Sequence, residues 1–151
     1  MIPSAGHLRV NQRFCSGCGL CEVACTLFHG GICQPSSARI YVEKDHLNLQ
    51  FVPHVCAQCR HPACYESCAQ EAVRIDGRTG ARYIDSARCI GCGDCAAACP
   101  LMPHAEVLRK TDQNGRIVYV KCDLCRDRSE GPLCVDICPR DALKFRIRKS
   151  Q

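Results

Sequence analysis

The segment Cys15-Ser-Gly-Cys18-Gly-Leu-Cys21-Glu-Val-Ala-Cys25 decides the fold of this chain. Its cysteines follow the spacing C-x2-C-x2-C-x3-C, which we call motif I. Three thiols in one short loop suit three corners of a tetrahedral ligand set, and the fourth thiol lies on the helix beyond and reaches a neighbouring set. The pattern returns as motif III in Cys89-Ile-Gly-Cys92-Gly-Asp-Cys95-Ala-Ala-Ala-Cys99, with matching glycines.

Two wider cysteine motifs alternate with these. Motif II contains Cys56, Cys59, Cys64 and Cys68, and motif IV contains Cys122, Cys125, Cys134 and Cys138. Both open with C-x2-C-Arg, both close with C-x3-C, and their continuations match (Cys68-Ala-Gln-Glu-Ala-Val-Arg-Ile and Cys138-Pro-Arg-Asp-Ala-Leu-Lys-Phe). The order I–II–III–IV therefore predicts a duplicated unit of two motifs.

The composition requires something besides apolar packing to hold the chain together. Of its 151 residues 17 are cysteine, aromatic residues are only 5% and tryptophan is absent. Cross-links or metal are the usual substitutes for a core. Residues 1–14 lack the apolar stretch and cleavage site of a secretory signal, so we expect a cytoplasmic protein whose thiols stay reduced. Metal is the better interpretation, and no run is long enough for a membrane span.

The spacing favours iron–sulfur cubes over zinc. Motif II or IV alone resembles a zinc ribbon, but a zinc site closes with four ligands and has little use for three in one tight loop. Four motifs predict four [4Fe–4S] clusters with sixteen cysteine ligands and Cys33 left over as a non-ligand. The C-x3-C-x2-C loop of radical enzymes is not seen, and no catalytic constellation is found. His54 and His61 flank motif II and are predicted to be tuning or surface residues.

The formal charge of +5 does not indicate a nucleic-acid surface. That charge counts thiols as neutral, and four cubes of about −2 each would bring the total to about −3. No interleaving of basic and aromatic residues supports nucleic-acid binding either. Lys121, Arg60 and Arg126 adjoin motif cysteines, where they either raise cluster potentials or are simply solvated.

Short strands and helices are predicted between the motifs. Strand pairs are expected at 39–43 with 47–51, at 73–75 with 82–85, and at 107–110 with 116–120, the last around Asn114-Gly115. A helix is expected from Leu20 to His29, closed by Gly30, and a helical turn from Cys95 to Cys99. The alternating tail 144–149 predicts a strand with one wet face. The fold class is α+β, with tandem bacterial-ferredoxin-like lobes of two clusters each.

The chain resembles the four-[4Fe–4S], ferredoxin-like electron-transfer subunits of molybdenum- and tungsten-pterin oxidoreductases. The resemblance runs from Phe14 to Arg148 and rests on all sixteen motif cysteines. The segment from Cys25 to Val42 is most similar to the small subunits that accompany tungsten aldehyde oxidoreductases. The chain departs from the family pattern at Thr26 and Ala69, where proline often follows the closing cysteine.

The resemblance implies a pairing of motifs that the repeat alone does not. A simple duplicated ferredoxin would pair motif I with II and III with IV, whereas the family pairs I with IV and II with III. The four implied ligand sets are Cys15, Cys18, Cys21 and Cys138; Cys25, Cys122, Cys125 and Cys134; Cys56, Cys59, Cys64 and Cys99; and Cys68, Cys89, Cys92 and Cys95. Residues 1–50 with 112–151 would form an outer lobe, and residues 51–111 an inner lobe.

The resemblance also implies a function. The chain would relay single electrons between a larger, pterin-containing catalytic subunit and a second redox partner, either a flavin/NAD subunit or a ferredoxin, within a cytoplasmic hetero-oligomer of anaerobic metabolism. The chain itself would not be an enzyme. A free soluble polyferredoxin, a subunit of a hydrogenase or carbon monoxide dehydrogenase, and a zinc interaction module are the alternatives.

Overall fold

A computed structural model describes residues 5–148 of the chain. Four antiparallel two-stranded sheets and four short helices follow one another with little regular structure between them, which confirms the predicted α+β class. The strands are β1 His7–Val10, β2 Ile40–Asp45, β3 Gln50–Val55, β4 Val73–Ile75, β5 Arg82–Ile84, β6 Leu108–Gln113, β7 Arg116–Lys121 and β8 Leu143–Arg146. The α-helices are α1 Leu20–Gly30, α2 Ala63–Glu66, α3 Asp94–Ala98 and α4 Leu133–Ile137, and short 3-10 turns lie at Gln12–Phe14 and Pro35–Ser37.

Three of the sheets are local hairpins, two of them placed as predicted. The β6–β7 turn has positive φ at Asn114 (54°) and Gly115 (79°), which is the conformation that an Asn-Gly hairpin turn requires. The β4–β5 pair is also confirmed. The prediction for β3 was wrong: the strand begins at Gln50, because the Asp45 carboxylate accepts backbone N–H bonds from Leu47 and Asn48 and makes that segment a turn.

Helix α1 ends one residue later than predicted. Gly31, and not Gly30, takes the left-handed conformation (φ 68°), and its N–H donates to the Leu27 carbonyl at 3.0 Å. Glycine at this position closes a helix without steric penalty. The turn expected from Cys95 to Cys99 is observed as α3, which begins at Asp94 and stops before Cys99 because Pro100 disfavours helical geometry in the residue before it.

The fourth sheet joins the two ends of the described chain. β1 pairs with β8 in antiparallel register, with His7 opposite Arg146 and Val10 opposite Leu143. The strand predicted at 144–149 is therefore observed at Leu143–Arg146, while Lys149 lies outside the described residues. β1 was not predicted, because its partner strand lies more than 130 residues away in the sequence. No local pattern of residues indicates a strand at these positions.

The sheets follow the internal repeat. Strands β1 to β4 of the first half correspond in order to β5 to β8 of the second half. Three of these pairs lie at the same distance from the matching motif: β1 and β5 end five residues before it, β3 and β7 end directly before it, and β4 and β8 begin five residues after its closing cysteine. β2–β3 and β6–β7 form within a half, whereas β4–β5 and β8–β1 connect the two halves. Motifs II and III are thus joined by one sheet, and motifs IV and I by its counterpart.

The interior is built from cysteines and small aliphatic residues. Two apolar clusters are buried, and the largest fully buried side chains are Lys121, Leu143, Gln58, Val73 and Val118. The lobes proposed from the sequence divide the chain at 50/51 and 111/112, and hairpins β2–β3 and β6–β7 cross these boundaries. Within residues 5–148, none of the helices has the length and apolar character that a bilayer crossing needs.

Candidate iron–sulfur centres

Two groups of cysteines line two separate cavities. Cys15, Cys18 and Cys21 of motif I share one cavity with Cys138 of motif IV, and we call these four the Cys15 set. Cys68 of motif II shares the other cavity with Cys89, Cys92 and Cys95 of motif III, and these form the Cys68 set. In each set, three thiols come from one tight loop and the fourth comes from a motif in the other half.

The remaining motif cysteines lie in two inner groups. Burial raises the pKa of Cys64 to about 11, and Cys56, Cys99 and Cys59 contribute to the increase; these four are the Cys56 set. Burial also raises the pKa of Cys134, with contributions from Cys125 and Cys25. Cys134 in turn raises the pKa of buried Cys122. Cys25, Cys122, Cys125 and Cys134 therefore form the Cys25 set.

Packing and electrostatic effects connect the four sets in one order. Cys21 packs in one buried cluster with thiols of the Cys25 and Cys56 sets, and Cys64 and Cys99 pack in a second cluster with thiols of the Cys68 set. Cys21 acts on Cys134 and so joins the Cys15 set to the Cys25 set. Cys56 acts on Cys122, and Cys64 acts on Cys95, which adds the Cys56 set and then the Cys68 set. Cys18 and Cys92, one in each terminal set, are exposed, whereas all four thiols of the Cys25 set are buried. These groups bring together the thiols that the resemblance assigns to one ligand set; that they ligate clusters stays a prediction.

Backbone N–H groups point at six of the cysteine sulfurs. The donors are Arg39 to Cys25, Gln58 to Cys56, Ala72 to Cys68, Tyr119 to Cys89, Leu124 to Cys122 and Ala142 to Cys138, all at 3.3–3.4 Å. Such bonds stabilise negative charge on sulfur. The donors occur in matching places of the repeat: Gln58 corresponds to Leu124, and Ala72 corresponds to Ala142. Both halves therefore direct backbone N–H groups at sulfur in the same way.

Strained backbone conformations produce two of these N–H bonds to sulfur. Gln58 (φ 52°) and Leu124 (φ 59°) are left-handed although neither is glycine, which costs about 1–2 kcal/mol each. In this conformation each residue turns its own N–H toward the sulfur two positions earlier. The hydrogen bond to sulfur offsets the strain, and sequence patterns gave no sign of it.

Two motif glycines are needed for a different reason. A Cβ on Gly17 would lie 2.4 Å from the Phe51 ring, and one on Gly91 would lie 2.5 Å from the Ile117 carbonyl oxygen. Gly17 and Gly91 are equivalent in the repeat, as are Phe51 and Ile117. Each tight cysteine loop therefore packs directly against the hairpin of its own half.

Replacing Gly91 by alanine should destabilise the protein by about 2–4 kcal/mol, because the new methyl group combines a left-handed φ of 71° with a backbone clash. Gly77→Ala is the control, since a Cβ there meets no atom within 4 Å. The apparent Tm of the anaerobic holoprotein measures both. Equal Tm values for the two variants would contradict this role of Gly91.

A buried lysine lies beside the inner sets. The Lys121 Nζ donates to the carbonyl oxygens of Arg82 (2.5 Å) and Cys122 (3.3 Å), and its charge opposes the rise in the pKa of Cys64. No carboxylate pairs with Lys121 among residues 5–148. Gln58 is bound to the same two carbonyls at 3.2 and 2.6 Å. The sequence indicated Lys121 from its place beside motif IV, but nothing pointed to Gln58.

A polar network that sequence reasoning missed adjoins the Cys25 set. The His29 ring lies 2.9 Å from the Cys25 carbonyl and 3.0 Å from an Asp123 oxygen, and Arg39 binds the other Asp123 oxygen at 2.6 Å. Burial opposes the charge of His29, but the hydrogen bonds to Asp123 and Cys25 and the charge of Asp123 together outweigh burial and raise the pKa of His29 to about 9. Burial likewise opposes the Asp123 charge, yet His29 and Arg39 lower its pKa to about 2. The network therefore places two cations and one anion beside buried thiols.

The structure also places the other residues considered from the sequence. Cys33 is an exposed thiol in the loop after α1. His54 pairs with Glu43 at 2.8 Å, and His61 is exposed. Arg60 is exposed, and Arg126 stacks over the Tyr83 ring at 3.9 Å and pairs with Asp76 at 3.4 Å. These placements favour surface or structural roles.

The four sets fit iron–sulfur clusters in their chemistry. Each offers four soft sulfur ligands, the backbone supplies N–H donors to sulfur, and buried cations balance thiolate charge. Burial raises the pKa of the metal-free thiols of Cys21 and Cys95 to about 12. Metal binding must therefore displace protons, and the energy of binding becomes energy of folding.

Comparison with known proteins agrees with this chemistry. A family model described as a 4Fe-4S dicluster domain matches residues 47–148. A polyferredoxin-like subunit of aliphatic sulfonate oxidoreductase from Pyrococcus furiosus is 41% identical, over 87% of this chain and 72% of its own length. The thiosulfate reductase electron transfer subunit PhsB from Salmonella typhi is 33% identical, over 89% and 72%.

A solved structure shares the fold. In the active site complex BamBC of benzoyl coenzyme A reductase, one chain superimposes with a TM-score of 0.58 at 23% identity, over 99% of this chain and 83% of the other. Because the dicluster model matches about two thirds of the sequence and close relatives align over most of it, this chain belongs to the 4Fe-4S dicluster domain family.

Proposed function

We propose that this protein is the non-catalytic electron-transfer subunit of a pterin-containing oxidoreductase. It would relay single electrons between a larger molybdenum or tungsten subunit, such as an aldehyde oxidoreductase, and a second redox partner. The succession of four cysteine sets that share cavities and packing clusters, with an exposed thiol in each terminal set, is the observation that carries this proposal. The relatives are named as subunits of an aliphatic sulfonate oxidoreductase and of a thiosulfate reductase, which supports a role in such a complex.

Each set is proposed to hold one [4Fe–4S] cluster, which when bound accepts and releases one electron at a time. The Cys15 and Cys25 sets belong to the proposed outer lobe, and the Cys56 and Cys68 sets to the inner lobe. Cys33 is left out of all four sets. The chain orders the four sets, buries all four thiols of the Cys25 set and directs N–H groups at six sulfurs. These are the tasks of a protein that supplies spacing and electrostatics to a cofactor.

Anaerobic purification with its neighbouring subunits tests this function. We expect a brown protein with about sixteen iron atoms per chain, in stoichiometric association with a large pterin-containing subunit. Colourless, zinc-loaded material would overturn the cluster assignment. A brown protein that purifies alone would instead support a free polyferredoxin and contradict the subunit role.

A further inference from the structure

One face of the terminal β1–β8 sheet is strongly positive. Side chains alternate along a strand, so His7 and Arg9 of β1 share a face with Lys144 and Arg146 of β8. Arg9 lies directly opposite Lys144, and His7 lies opposite Arg146. Arg9, Lys144 and Arg146 are exposed. We call these four residues the basic face.

The basic face is electrostatically unfavourable in the isolated chain. Like charges directly opposite one another destabilise an antiparallel pair. Within residues 5–148, neither Arg9, Lys144 nor Arg146 forms an ion pair with a carboxylate. Burial and the charges of Arg148, Arg9 and Arg146 together lower the pKa of His7, so the positive field reaches this ring.

The internal repeat provides a comparison for this arrangement. Lys144 and Arg9 correspond to Arg74 of β4 and Tyr83 of β5. Arg74 lies directly opposite Tyr83, so the equivalent pair carries one cation and one aromatic ring. The fold therefore does not require two opposed cations at this position, and the basic face is specific to the sheet that joins the chain ends.

The basic face borders the Cys15 set. Arg9, Lys144 and Arg146 line an open groove of about 210 Å³ together with Phe14 and Asp141. Phe14 directly precedes Cys15 and is 48% exposed. Exposed Cys18 and Arg140 line the cavity of the Cys15 set itself. A protein bound in this groove would lie beside the terminal thiols.

We infer that the basic face docks the acidic surface of a redox partner protein that exchanges electrons at the Cys15 set. Opposite charge on the partner relieves the repulsion between Arg9 and Lys144 and steers the encounter. Nucleic acid or an anionic membrane surface would neutralise the same cations, but neither would exchange electrons with the redox centre beside the contact. The inference rests on the proposed electron-transfer function.

The test compares Lys144→Glu with Arg74→Glu, which make the same charge change at equivalent positions of the repeat. The probe is a small acidic [2Fe–2S] ferredoxin, reduced beforehand and mixed with the oxidised holoprotein in stopped flow. We expect Lys144→Glu to lower the second-order rate about tenfold at low ionic strength, with the difference vanishing at high salt. Arg74→Glu should change the rate less than twofold.

A second measurement separates docking from general damage. Lys144→Glu replaces a repulsive cross-strand pair with an attractive one, so its apparent Tm should rise by about 1–3 °C although electron transfer slows. Equal rates for Lys144→Glu and the unmodified protein, or a slower rate that persists at high salt, would overturn the docking inference.

Iron content and reduction by dithionite alone report on the relay separately. Normal iron content and normal reduction by dithionite, together with equal ferredoxin rates in the two variants, would contradict the docking role of the basic face but not the electron-transfer function. Absence of iron and of dithionite-reducible centres in the unmodified protein would instead contradict the proposed electron-transfer function, and the docking inference that rests on it.

Discussion

Replacement of Cys138 by serine is expected to remove up to about four of roughly sixteen iron atoms per chain. Cys138 lies in a different half of the sequence from Cys15, Cys18 and Cys21, yet it shares their cavity. Loss of its thiolate should therefore damage the centre fed by motif I. Iron analysis of anaerobically purified protein measures the loss, and Cys33→Ser, which alters an exposed thiol outside every set, should leave the iron content unchanged.

Double variants identify the partner of Cys138 without spectroscopic assignment. Residues that serve one centre act as a unit and their effects are not additive, whereas those in distant centres add. Cys18→Ser combined with Cys138→Ser should lose no more iron than the worse single variant. Cys92→Ser combined with Cys138→Ser should lose the sum of the two. Additive losses for the first pair would contradict the grouping of motif I with motif IV.

Replacing Lys121 by methionine should lower the potential of the centre held by the Cys56 set by about 90 mV. Two unit charges about 8 Å apart, at an effective dielectric constant of about 20, interact by about 2 kcal/mol, which is about 90 mV for one electron. The missing positive charge disfavours the reduced, more negative centre. EPR-monitored redox titration of the holoprotein measures the shift.

The fold should tolerate this substitution. Methionine is close to lysine in size, and the two carbonyls that Lys121 binds also accept bonds from Gln58. Lys110→Met makes the same chemical change on the exposed surface of β6 and should move every potential by less than about 20 mV, because solvent screens that charge. An unchanged potential for the Cys56 set, or an equal fall in all four potentials, would refute the role assigned to Lys121.

Local signals predicted the parts of the fold that depend on nearby residues. The Asn114-Gly115 turn has the backbone geometry that its residues favour, and the cysteine spacings predicted each tight loop. The errors were also local in scale. Gly31 replaced Gly30 as the helix cap, and Asp45 turned Leu47 and Asn48 into a loop where alternating residues had predicted a strand.

Long-range contacts were beyond such signals. The spacing of the motifs does not show which thiols meet, because that depends on β1 pairing with β8 across the described chain, and only the resemblance implied the grouping. The network of His29, Arg39 and Asp123 likewise assembles from three separate segments. The left-handed conformation of Gln58 is enforced by its surroundings, since glutamine has no preference for it.

The exchange of strands between the two halves bears on the ancestry of the molecule. β4 finds its partner only in the second half, and β8 finds its partner only in the first. A half-length ancestor would have carried two unpaired strands, the equivalents of β1 and β4. These strands could have found partners only in a second copy of the polypeptide, related to the first by a twofold axis. Gene fusion would then have joined this homodimer into one chain through the connection between β4 and β5. The pair β8 and β1 would be the equivalent contact that kept no covalent connection.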